Sequence, residues 1–241
     1  VYGTLMGSRA RTRLLGYYSR YGVEIALERY GVMEVVRGAG YGRTCVELDL
    51  ERATGELARL VSDDGRRDVL VEVILKESLE LSPFRLLYIE WLLMQDPRRA
   101  PSVARPLLPG QVHPGLGALR EMTGMLMMAC ERLGMDGLAF RPAHYHVKAL
   151  SRTWLRFADP ALEARWLALG QALEGVPLER ASALVAAGAV VEEASGAPVR
   201  WSSELVVMPL SARCREALRG PEATREVEAL TRGLRFVLRG A

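Results

Sequence analysis

The run LLYIEWLLM at residues 86–94, the segment RPLLPGQVHPGLG at 105–117 and the stretch ALREMTGMLMMACERL at 118–133 decide how this chain is read. A run apolar on both faces predicts a central strand. Glycines just ahead of a helix leave the amides of the first turn without partners and let an anionic ligand approach the backbone. The apolar segment DGLAF at 136–140 then predicts a short strand, and a further helix is expected from His144. Together, residues 86–157 read as strand, glycine loop, helix, strand and helix, an order that presents backbone N–H groups to an anion.

Upstream, apolar residues recur at helical intervals through 8–37, which predicts two helices punctuated by Gly22, Gly31 and Gly38. From Arg43 the period changes to two, with Val46, Leu48 and Leu50 alternating with Glu47 and Asp49. Strands are expected at 43–50, 56–62, 68–76 and 85–95, with the turn Asp63-Asp64-Gly65 closing a hairpin. Four consecutive strands predict an antiparallel meander. Downstream of Asp159-Pro160, helical patterns at 160–173 and to about 191, a last strand at 199–210 and helices at 212–218 and 222–238 complete the chain.

Composition narrows the function classes. An apolar share of 49% over 241 residues supports a substantial core, and a net charge of +3 gives no bulk attraction to nucleic acid or a membrane surface. Basic residues are almost all arginine, Lys76 and Lys148 being the only lysines. Cys45, Cys130 and Cys214 are far apart and read as free thiols of a reducing compartment. With no run long enough to span a bilayer and no signal-peptide pattern, a cytoplasmic location is expected.

The candidate site centres on Gln111, Val112, Gly115, Leu116, Gly117 and Ala118 of the glycine loop. All three histidines, His113, His144 and His146, fall in the same region, where imidazole can serve acid–base work or metal ligation. No carboxylate or cysteine stands at ligand spacing, so no metal is expected. Glu90 interrupts the most apolar strand and is a candidate general base, one half of an ion pair with an arginine, or simply exposed if that face of the sheet is open. Arg98, Arg99 and Arg105 are candidate phosphate contacts. Four of the nine methionines lie at 122–128, which reads as core filling.

Two helices, a four-stranded meander, a glycine loop opening a helix, then strand and helix resemble the GNAT superfamily of acyl-CoA-dependent N-acyltransferases. Its loop pattern is Arg/Gln-x-x-Gly-x-Gly/Ala; Gly115 and Gly117 match the last two positions, Val112 takes the first and Gln111 stands one residue ahead. In LAFRPAHYHVKALSRTWLRF, Ala149 and Phe157 keep part of the family's later pattern, and Ser151, Arg152 and Thr153 stand near the place of its frequent general-acid tyrosine. The resemblance implies an α/β (α+β) fold with a mixed, mostly antiparallel sheet flanked by helices. It further implies acetyl-CoA or another acyl-CoA as co-substrate, held by the loop amides, a small-molecule or protein amine as acceptor, and Glu90 or a histidine as base. Residues 1–159 would form the GNAT-like core. Residues 160–241 would add helices and a strand that can rejoin the sheet; a homodimer is left open. A non-catalytic ligand-binding module on the same fold and a metal-dependent hydrolase using the histidines are the alternatives. The opening YGTL also resembles the first-strand motif of the gamma-glutamyl cyclotransferases, although helices rather than strands follow it here.

Overall fold

The computed structural model describes residues 11–102, 106–151 and 153–239. The YGTL motif, Arg105 and Arg152 lie outside them. The chain runs α1 (Arg20–Arg29), α2 (Val32–Gly38), β1 (Thr44–Asp49), β2 (Glu56–Ser62), β3 (Val69–Ser78), β4 (Leu86–Met94), α3 (Leu119–Leu133), β5 (Gly137–Phe140), α4 (Tyr145–Ala149), β6 (Arg156–Phe157), α5 (Pro160–Ala172), α6 (Leu178–Ala186), β7 (Val190–Glu192), β8 (Val206–Pro209), α7 (Ala212–Arg219), α8 (Pro221–Thr231) and β9 (Phe236–Leu238). This is a mixed α/β fold whose main sheet is mostly antiparallel and flanked by helices. The sheet has seven strands in the order β1-β2-β3-β4-β5-β8-β6, and β7 pairs with β9 separately.

The meander arises as its alternation predicts: β1 to β4 pair antiparallel in sequence order. β5 then lies parallel to β4, reached through α3, which is the connection a parallel pair requires. β8 inserts between β5 and β6, pairing antiparallel with both. Val46, Leu60, Val73 and Leu87 on one face pack with Val23, Leu27, Met122 and Leu126 in the main core. Leu86, Tyr88, Ala139 and Val207 form a smaller cluster with Cys214 on the other face.

Several segments differ from the sequence reading. Residues 14–18 form a bridged turn, with Leu14 paired to Tyr18, and helix begins only where Ser19 caps the N–H of Gly22. The helix expected from His144 stops after Ala149, and Arg156–Phe157 is a strand because Val207 and Val206 pair with it. The expected strand at 199–210 is regular only over Val206–Pro209. The expected C-terminal helix ends at Thr231, and Phe236–Leu238 pairs with β7. No helix among the described residues is long and apolar enough to cross a membrane.

Two buried charged groups tie the later elements to the sheet. Asp136, at the start of β5, accepts from Nε of Arg213 at 2.7 Å and from the N–H of Arg85 at 2.9 Å. Its carbonyl accepts from the amides of Leu210 and Ser211. The Arg213 guanidinium holds the Asp136 carboxyl well below the usual range. Lys148 is 0% exposed, its ammonium 4.4 Å from the centre of the Trp166 ring, 4.9 Å from that of Phe157 and 3.3 Å from Oε2 of Glu163. The same carboxylate accepts from the N–H of Phe157 at 2.8 Å and faces Arg156 at 3.3 Å.

Candidate functional site

The edge of β4 that faces β5 is covered at its two ends and open in the middle. At one end β5 pairs with it over Leu86, Leu87 and Tyr88. At the other, Asp96 donates its N–H to Pro114 O at 2.8 Å and Leu116 donates to Met94 O at 3.3 Å, so the glycine loop takes the place of a strand. Between them, residues 89–93 pair only with β3 among the described residues. The register slips there, Leu75 facing Ile89 and Ile74 facing Trp91, so Glu90 is the extra residue of a bulge. A bulge re-aims side chains and frees a backbone group; Glu90 and Trp91 are accordingly exposed.

The loop is built to approach this gap closely. Gly117 has φ +86°, a left-handed conformation that favours glycine, and Gly115 is exposed with no side chain crowding it. Leu116 and Ala118 are buried and anchor the loop. Ala118 caps α3 without a side-chain hydrogen bond. No partner among the described residues takes the amides of Gly117, Ala118 and Leu119. Gln111 folds back on its own turn, its Oε1 accepting from the N–H of Leu108 at 2.9 Å, while Val112 is 76% exposed. Gly110, at φ +84°, packs against the ring of His144.

Glu90 accepts from Nζ of Lys76 at 2.7 Å, so it is the exposed half of an ion pair, with a lysine rather than an arginine as partner. Tyr88, at the inner end of the gap, is buried; burial, then the Glu90 charge, pushes its hydroxyl pKa up. Arg141, directly after β5, pairs with Glu204 at 2.9 Å and also with Glu80. Sequence reading passed over Tyr88 and Arg141. Tyr88 two residues ahead of Glu90 on one strand was the available signal; Arg141 had none before β5 was placed.

The histidines divide. His144 and His146 stack with ring centres 5.4 Å apart, and Nδ1 of His146 lies 2.9 Å from Oγ of Ser182. Burial, then the His144 charge, pushes the His146 pKa down to about 4, which keeps it neutral at physiological pH. His113 sits half-buried in the loop. Among the described residues no three histidine, cysteine, aspartate or glutamate side chains are grouped to hold a metal ion. Arg98 is occupied by Asp68, at 2.9 Å, and by Asp64, and it stacks on Tyr41, whose hydroxyl donates to the buried Asp96 at 2.7 Å. Arg99 pairs with Asp96 at 3.3 Å. Arg98 therefore braces the start of the proline segment against the β2–β3 hairpin, while Arg99 closes a local pair within the segment. Comparison with models of known protein families and with the sequences of characterised proteins finds no match.

Proposed function

We propose that the chain is an acyl-CoA-dependent acyltransferase of GNAT type acting on an amine. The observation that carries this reading is the middle of the β4 edge, open among the described residues and flanked by β5 at one end and, at the other, by the amides of Gly117, Ala118 and Leu119, which have no partner among those residues. An extended ligand arm bearing amides can add to such an edge as a strand would. The pyrophosphate of the coenzyme would meet the loop amides at the positive end of α3. The thioester would then lie toward Tyr88 and Glu90, where the exposed Glu90 carboxylate takes the proton of the attacking amine, directly or through water.

Calorimetric titration with acetyl-CoA and longer acyl-CoAs, paired with a thiol-release assay over an amine panel, tests the proposal. Saturable binding with turnover is expected, and Glu90→Gln should lower kcat by about 10²–10⁴ with the KM for acyl-CoA unchanged. No binding at millimolar ligand would sink the reading. A second reading, a binding module without turnover, is favoured by the ion pair that holds Glu90 to Lys76 and by the turned-in Gln111. Tight binding with no thiol release from any amine selects it.

A further inference from the structure

Between α1, α3 and strands β1 to β3 lies an apolar cleft that the acyl-transfer reading does not use. It encloses about 690 Å³ of empty space, its solvent-open mouth included. The space is a slot between two helices and the sheet whose walls are mostly aliphatic side chains, a lining that suits a flexible alkyl chain. Leu27, Leu60, Val73, Met122, Met125 and Met128 are among its walls. Three of the four α3 methionines thus face a gap, and methionine is the side chain best able to reshape around a flexible apolar guest. The lining residues with polar groups are Arg59, Arg132, Tyr18 and Tyr30. Arg59 is neutralised by Glu72. Arg132 is exposed, contacts the Tyr18 hydroxyl and has no carboxylate partner among the described residues.

We infer that the slot binds a single-chain amphiphile with an anionic head group, the alkyl chain between α1 and α3 and the head group at Arg132. The apolar lining selects the chain; the guanidinium of Arg132, which has no carboxylate partner among the described residues, selects the charge. The inference does not rest on the acyl-transfer reading.

Titration of the whole protein with hexanoate, dodecanoate and hexadecanoate, each below its micelle-forming concentration and without coenzyme, tests it. Affinity should rise by roughly fourfold per added methylene and then level off once the slot is full. Arg132→Gln should weaken dodecanoate about tenfold and leave dodecanol unchanged. Ala26→Phe and Met125→Trp, which fill the slot from either wall, should abolish binding without lowering the melting temperature. Absence of saturable binding at every chain length, or binding that survives both filling variants in folded protein, overturns the assignment. If the filling variants fail to fold, the Arg132→Gln comparison decides, because that side chain is exposed; equal loss of dodecanoate and dodecanol, or no loss of either, counts against it. Because coenzyme is absent throughout, failure here is distinct from failure of the acyl-CoA titration.

Discussion

Gly110 and His144 are in such close contact that a Cβ on the glycine would lie 2.5 Å from Nε2 of the imidazole. The contact couples the start of the glycine loop to the first turn of α4 and, through His146 and Ser182, to α6. Gly110→Ala adds this clash to a φ of +84° that side chains rarely adopt. It should cost about 1–3 kcal/mol in a denaturant melt and weaken acyl-CoA binding through displacement of the loop.

Gly115 offers the converse case. A Cβ there meets nothing nearer than 3.9 Å, and the residue is exposed beside the β4 gap. Gly115→Leu should leave stability within about 0.5 kcal/mol of wild type while lowering acyl-CoA affinity by at least about tenfold, because the new side chain occupies ligand space. Paired melting and calorimetry check both halves, and unchanged affinity would count against the coenzyme groove.

The buried Lys148–Glu163 pair predicts an asymmetry between its partners. Glu163→Gln leaves an ammonium with 0% exposure, repelled by the Arg156 charge and without its carboxylate, and should cost about 3–5 kcal/mol in a denaturant melt. Lys148→Met leaves Glu163 held by Arg156 and by the N–H of Phe157, and should be neutral or stabilising.

A pH dependence follows from the same lysine. Burial lowers the Lys148 pKa from 10.5 to about 8, against the opposing pull of Glu163. The unfolded chain therefore binds this proton more tightly than the folded one, and the group favours folding increasingly as pH rises from about 8 to 10.5. The stability of wild type relative to Lys148→Met should climb across that window, as read from melts of both proteins in parallel; a flat difference would contradict the assignment.

Asp136 has the opposite sign. The Arg213 guanidinium, aided by the N–H of Arg85, lowers its pKa, so its contribution is present above the ordinary aspartate value of about 3.9 and is lost as pH falls below it. Asp136→Asn should cost about 1–3 kcal/mol at neutral pH and remove part of the acid sensitivity seen in wild type. Melts of both proteins between neutral pH and the acid limit test this.

Where periodicity and packing agree, the sequence was a sufficient guide. β2 falls at Glu56–Ser62 and α3 ends at Leu133 as expected, because alternation and heptad-like spacing there coincide with the buried faces. Three features escaped it for one physical reason, that their partners are distant in the chain. Arg156–Phe157 becomes a strand only through Val206 and Val207. Lys148 reads as an ordinary polar residue of a helix until Trp166 and Phe157 close over it. Glu90 reads as a general base, an ion-pair partner or an exposed residue, and no local signal announces the bulge that turns it outward to Lys76. The same holds for the site: the glycines of the loop were legible from their position ahead of α3, whereas the gap along β4 exists only because β5 is so short.

The insertion of β8 between β5 and β6 ties the fold to the order of synthesis. A nascent chain completes β1 to β5 and releases α3 into the core while the far edge of β5, Gly137–Phe140, still has no neighbour. That edge waits for Val206–Pro209 to leave the ribosome, and until then it offers open hydrogen-bonding groups to any passing strand. The interval during which that edge of β5 stays open to other strands is set by the time taken to make the segment between β5 and β8.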